Sequence, residues 1–241
     1  MEDSLRPLAI GVAALAVLVL TACGSVDSGS DPKGSGVETT SRRETAAFSR
    51  VDLRGAADVS IVVGRARSLT VRGDDNLIGR VKTKVEGDTL VISTRSYRSE
   101  IGMSVQIGVP ALNGVELSGS GTIDVHRLSG ASFSADLSGS GDLKIDGKVD
   151  ELELDISGSG DISANGKTDS LEVDTPGSGE AQLDHLAALR AQVDISGSGD
   201  VSLRATTSLK ASISGSGDIS YSGGSRHVSK KVSGSGTISA R

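Results

Sequence analysis

The chain repeats itself. Four residues, Ser-Gly-Ser-Gly, stand at 118–121, 138–141, 157–160, 196–199, 214–217 and 233–236, and Pro176-Gly177-Ser178-Gly179 is a degraded copy between the third and fourth. Successive copies begin 20, 19, 19, 20, 18 and 19 residues apart, a period close to 19. A fixed period near 20 marks a solenoid, in which each repeat is one coil that buries its apolar side only against the coils above and below.

Around each copy the unit runs apolar-x-apolar, the motif, an acidic residue or Thr, and apolar-x-apolar again. Leu152-Glu153-Leu154-Asp155-Ile156-Ser157-Gly158-Ser159-Gly160-Asp161-Ile162-Ser163 is one such unit. Period-2 alternation turns Leu152, Leu154, Ile156 and Ile162 inward and Glu153, Asp155 and Ser163 outward. Carried through the motif, the alternation also turns both glycines inward, which predicts a corner that bends sharply or takes up positive φ. Pro176 fits a corner better than a central ladder position. Parallel coils rise about 4.8 Å each, so seven make a rod about 30 Å long. Stacking in register predicts an inner column of Leu137, Ile156, Ile195 and Ile213. Outside, it predicts a line of acids: Asp142, Asp161, Glu180, Asp200 and Asp218. The coil carrying Thr175, Pro176, Glu180 and Ala181 departs from the pattern at several positions and should pack least well.

Composition agrees with a thin tube. Aromatic residues make up 2% of the chain, with 32 Gly and no Trp, so the core must come from Val, Ile, Leu and Ala. A formal net charge of −6 with scattered Lys and Arg lacks the basic stripe of a nucleic-acid binder. Scarce aromatics also remove the stacking platforms that bases and sugars use. No cofactor motif stands out.

The first residues read as an export signal over 1–22. Arg6 precedes an apolar run from Leu8 to Leu20, too short to span a bilayer comfortably and apt for a signal core. It ends Leu20-Thr21-Ala22-Cys23-Gly24, which resembles the lipobox of bacterial lipoproteins, a family in which the cysteine is lipidated and becomes the first mature residue. Cys23 is the only cysteine, which leaves no internal disulfide. Residues 23–47, rich in Ser, Gly and Asp at their start, read as a flexible tether. The expectation is an exported protein held to the outer face of the bacterial cell membrane through Cys23. The folded domain is expected over 48–241. Short alternating runs at Val59–Val63, 69–71, 81–85, 90–92 and 103–109, punctuated by glycine-rich turns, predict strands that extend the rod. Only 184–190 offers a local helical candidate, of a turn or two.

Phe48-x-x-Val51, Asp58-Val59-x-Ile61, Gly73-Asp74-Asp75-Asn76-Leu77, Leu90-x-Ile92, Val105-x-Ile107-x-Val109-Pro110 and the Ser-Gly-Ser-Gly-Asp repeats together resemble the head GIN domain family of auto-transporter adhesins. The likeness covers about 48–241. It implies an all-β, right-handed parallel β-helix on an exported, lipid-anchored bacterial protein, with a glycan or protein ligand at the cell surface.

Three other chemistries compete with that expectation. The acid line at Asp142, Asp161, Asp200 and Asp218 could hold calcium, but calcium-binding glycine-aspartate repeats use a nine-residue period. A carboxylate accepting a backbone N–H at the corner explains the same residues. A polysaccharide hydrolase or lyase on a β-helix is the enzymatic alternative; the chain has the carboxylates and lacks an aromatic-lined cleft. His126, His185 and His227 fall at different phases of the repeat and cannot stack into one ligand set. Regular rows of Ser hydroxyls suggest, more weakly, an ice- or carbohydrate-binding surface. At the far end, Lys230, Lys231 and Arg241 place charge on an open edge that would otherwise invite axial pairing.

Overall fold

The structure, a computed structural model, describes residues 31–241, which form one compact unit. Cys23 and the expected signal of 1–22 lie outside the described residues. The unit is a β-solenoid of about 7 turns with about 19 residues per turn. Its regular part runs through β8 (Gly114–Leu117), β9 (Thr122–Leu137), β10 (Asp142–Ile156), β11 (Asp161–Thr175), β12 (Glu180–Ile195) and β13 (Asp200–Ile213). It ends on β14 (Ile219–Ser222), β15 (His227–Val232) and β16 (Ile238–Ala240). From β9 to β13 each strand pairs parallel with the next, and like residues face like: Asp142 with Asp161, Leu152 with Leu171, Asp155 with Asp174.

The predicted inner column is buried. Leu137, Ile156, Ile195 and Ile213 are all at most 2% exposed, and Thr175 takes their place in the degraded coil at 0%. That substitution has a cost: Thr175 Oγ1 is buried without a hydrogen-bond partner. Pro176 costs only one of two donors to the same carbonyl, because the glycine after it keeps its own bond, as Gly158 N–H does to the Leu137 carbonyl at 3.1 Å. In the other copies the first Ser donates its N–H to the coil below, as Ser157 does to the Leu137 carbonyl (3.0 Å); at Pro176 the following N–H, that of Gly177, reaches the Ile156 carbonyl at 3.0 Å.

The motif glycines sit at a corner, but not for the sake of positive φ. None of them takes it up; left-handed glycines occur instead at Gly147, Gly166 and Gly223, in a second bend of the coil. The motif needs glycine because nothing else fits. Each stacks on the backbone of its predecessor, and a Cβ on Gly158 or Gly160 would fall into the carbonyl oxygen of Gly139 or Gly141.

Before the repeats come β1 (Glu38–Arg43), β2 (Arg50–Arg54), β3 (Asp58–Val63), β4 (Ser68–Asp74), β5 (Val81–Glu86), β6 (Thr89–Thr94) and β7 (Ser104–Val109). β2 and β3 form a coil directly beneath β8 and β9. β6 and β7 lie beneath β2 and β3, so the chain inserts a lower coil before climbing. β1, β4 and β5 pair antiparallel at that end.

Two expectations are corrected here. The segment assigned to the tether is paired over much of its described length: β1 lies in register on β4, and Gly34 N donates to the Arg98 carbonyl at 2.7 Å. The cause is Asp74, 1% exposed. It accepts the Gly36 N–H at 2.7 Å and the Ser99 hydroxyl, so a buried carboxylate is satisfied only if residues 34–36 lie against it. The helical candidate at 184–190 is part of β12, where Leu183, Leu186 and Ala188 are buried in the tube. Register shifts between Leu183 and Arg190 take up the extra residues that disguise the alternation there.

Candidate interaction surface

Two outer faces flank the serine-glycine corner. On one, Thr122, Asp142 and Asp161 stand in register, with Glu180, Asp200 and Asp218 continuing the line, all of the acids exposed. Three of the acids serve the ladder. Asp161 Oδ1 accepts the N–H of Glu180 at 3.2 Å, Asp200 Oδ1 that of Asp218 at 2.8 Å, and Asp218 Oδ1 that of Thr237 at 2.6 Å. These three carboxylates thus cap the backbone of the next coil, and their repulsion is offset by these hydrogen bonds. Among the described residues no group of three or more His, Cys, Asp and Glu is placed to hold a metal ion. His126, His185 and His227 are exposed and lie on separate strands or bends, so the structure does not bring them together.

The other face carries a second acid column that the sequence reading passed over. Asp52, Glu116, Asp136, Asp155, Asp174 and Asp194 lie side by side across β2, β8, β9, β10, β11 and β12. The signal was present: each is the outward residue just before the last apolar position preceding the corner. Neighbouring carboxylates about 4.8 Å apart repel by about 1 kcal/mol in water and several-fold more where water is partly excluded.

At its lower end the column is neutralised. Arg54 pairs with Asp52 at 2.5 Å, and Arg50 reaches Asp136 at 3.7 Å and the Ser134 hydroxyl at 3.1 Å. Arg50 can do so because residue 114 is glycine: a Cβ there would lie 2.7 Å from the guanidinium and 2.8 Å from Ser134 Oγ. In mid-column nothing neutralises it. Partial burial, then Asp136 and Asp174, push the Asp155 carboxyl above its ordinary value; burial, then Asp194, does the same for Asp174.

The pH consequence has an unusual sign. A carboxyl with a raised native pKa holds its proton more tightly folded than unfolded, so stability falls as pH rises through the window above 3.8. Asp155→Asn is therefore expected to raise the melting temperature at pH 7, the gain shrinking as pH falls and vanishing below the unfolded-state value. Thermal melts between pH 3 and 8 measure this; a gain that persists undiminished at the acid end would contradict it.

Along the remaining outward rows of this face the charges segregate by sign. Glu151, Glu153 and Glu172 lie on β10 and β11; Arg190 lies on β12, and Lys210 and Lys231, with the His227 imidazole, lie on β13 and β15. Two shallow grooves, about 700 and 570 Å³ in volume, meet at Ser170 and Glu172 and run along these rows.

The sequence model for "Putative auto-transporter adhesin, head GIN domain" matches residues 47–225. The chain belongs to the head GIN domain family. Solved structures agree on its fold. A putative adhesin from Bacteroides fragilis NCTC 9343 superimposes with a TM-score of 0.80 at 24% identity, over 87% of this chain and 99% of that one. A putative adhesin from Parabacteroides merdae ATCC 43184 gives 0.70 at 23%, over 88% and 100%. A putative lipid binding protein from Parabacteroides distasonis ATCC 8503 gives 0.67 at 25%, over 88% and 100%. No curated protein matches the chain. Family membership accounts for β2, β3 and β4 as well as for the repeats, since the matched region begins before the first Ser-Gly-Ser-Gly copy.

Proposed function

We propose that this head GIN protein is a lipid-anchored, extracytoplasmic β-solenoid with a non-enzymatic role in surface interaction. Membership of an adhesin family carries the reading. The chemistry of the exposed faces supports it: among the described residues the hollows named above are open grooves on repetitive polar surface, and Asp161, Asp200 and Asp218 of one face are engaged in capping the ladder. Such a surface suits extended contact with a macromolecule, a glycan or a protein, better than enclosure of a reacting bond.

Cys23 is the attachment point, and the export signal precedes it. Cys23→Ser is expected to move the protein from the membrane fraction to the soluble extracytoplasmic fraction. Retention in the membrane would overturn the anchor. Incubation with cell-wall and plant polysaccharides should release no reducing ends, and release would restore the hydrolase.

A further inference from the structure

We infer that the face carrying Glu151, Glu172, Asp155, Lys210, His227 and Lys231 is a self-recognition surface, which pairs with the same face of a second copy in antiparallel orientation. The inference names a partner for the surface-interaction role proposed above and rests on that reading only for its cellular meaning.

Register places the charges. Residues in line across the coils are Glu151, Ser170, Arg190, Ser208 and His227 in the first row. Glu153, Glu172, Gln192, Lys210 and Ser229 form the second, and Asp155, Asp174, Asp194, Ser212 and Lys231 the third. In every row the acid lies toward β10 and the base toward β15, with β12 midway. A twofold axis lying in the face, parallel to the strands and passing over β12, keeps each row on itself and exchanges its ends. It then sets Lys210 opposite Glu172, Lys231 opposite Asp155 and His227 opposite Glu151, each twice by symmetry. An axis along the rod would instead put Glu153 and Glu172 on their own copies.

These groups are available. Glu151, Glu172, Lys210, His227 and Lys231 are exposed, Asp155 is half-buried, and none of them takes part in an ion pair among the described residues. Lys210 finds only the neutral Gln192 amide, at 3.3 Å. Like groups meet only over the axis, where Arg190 and Asp194 face their own copies; Asp194 already accepts from Gln192 at 3.0 Å. The larger groove lies across the axis, lined by Arg190, Gln192 and Lys210, and the smaller one lies toward the β10 end.

The β15–β16 end of the described rod, by contrast, carries a charge that disfavours a second copy there. Lys230 occupies an inward position of the last coil, in register with buried Ala211. Its ammonium lies 4.6 Å from the Tyr221 ring centre and donates to the Ile238 carbonyl at 3.1 Å. A charge laid across that end opposes axial stacking there.

Five coils by five residues give a patch of roughly 400 Å² on each copy, at the low end for a specific contact. The pairing is therefore weak, fast and salt-sensitive. Antiparallel orientation also sends the two β1 strands to opposite ends of the pair. Copies anchored through Cys23 on two facing cells would meet in this way, whereas neighbours on one membrane would not.

The test uses residues 31–241, which hold every described strand and the whole described core. Sedimentation equilibrium at about 20 mM salt is expected to show a monomer–dimer equilibrium that dissociates at about 0.5 M. The pair Lys210→Glu with Lys231→Glu, and separately Asp155→Lys with Glu172→Lys, should each weaken association at least about tenfold while leaving the circular dichroism unchanged. Mixing the two variants should restore it, because every opposing pair is then of opposite sign. A monomer at all concentrations, an association indifferent to these reversals, or a mixture that stays monomeric would each overturn the proposal. None of these outcomes touches the Cys23 fractionation result, so the two readings fail separately.

Discussion

Gly160→Ala is expected to destabilise the solenoid by about 3 kcal/mol or more. The ideal Cβ at Gly160 lies 3.0 Å from the Gly141 carbonyl carbon and closer still to its oxygen. Those atoms are backbone, so no rotamer change relieves the clash. The two coils must separate locally, and the ladder bonds on either side, Ser159 N to the Gly139 carbonyl and Ser178 N to the Gly158 carbonyl, are strained with them. Gly179 stands on Gly160 in the same way as Gly160 stands on Gly141, so the displacement passes upward as well as down. Ser159→Ala is the control. Its side chain is exposed, and truncation there should stay within about 0.5 kcal/mol of the parent. Urea melts followed by circular dichroism compare the two; a Gly160→Ala midpoint equal to that of Ser159→Ala would refute the stacked-glycine explanation of the repeat.

The same glycines show how far a sequence can be read. Their period located the corner, because a coil that returns to one place must bring back the residue that place requires. Period alone could not say what the place requires. A strained dihedral and a crowded backbone both select glycine, and only the position of the Gly141 carbonyl beneath Gly160 separates them. The corner also has a copy without serine: Gly55 and Ala57 underlie Gly119 and Gly121, and Ser120 N donates to the Gly55 carbonyl at 3.0 Å. Leu53-Arg-Gly55-Ala-Ala57-Asp58-Val59 keeps the spacing of Leu117-Ser-Gly119-Ser-Gly121-Thr122-Ile123, yet the serine signature hides it. Residues 34–36 failed for a different reason. Their polar, glycine-rich composition lacks apolar period, and what orders them is Asp74, some 40 residues away in the chain; a single buried acceptor leaves no periodic trace. The second acid column was legible in its spacing. Its meaning was not, since capping acids such as Asp200 and unneutralised ones such as Asp155 look alike until their partners are placed.

Phe133→Ala is expected to cost about 3–5 kcal/mol and to split the unfolding transition. Phe133, 2% exposed, heads the largest fully buried side chains in a chain almost without aromatics. Above it, in register, stands Leu152 on β10. Below it no strand residue stands: β8 pairs with β9 only from Gly114 opposite Ser134 onward, and the backbone under Phe133 is the turn at Asn113, whose carbonyl accepts the Ser134 N–H at 3.1 Å. The ring fills space that a strand would occupy elsewhere in the column, which is why a residue larger than leucine stands at this coil alone. Removing it opens a void at the seam between the lower coils of β2, β3, β6 and β7 and the regular repeats above. In a stacked rod each coil is stabilised only by its neighbours, so stability is close to a sum of interface contributions and a damaged interface uncouples what lies on either side. The parent is expected to melt in one step, and Phe133→Ala in two, with the denaturant slope of each step smaller than that of the whole. Val228→Ala, at a position 39% exposed on the last coil, removes apolar atoms from the same column at its free end and should lower the midpoint by less than about 1 kcal/mol without dividing the transition. Amide exchange separates the outcomes: protection lost first across β9 and β10 in Phe133→Ala supports the seam, whereas uniform loss along the rod would mean that the coils unfold as one body and that the ring is merely one more buried hydrocarbon.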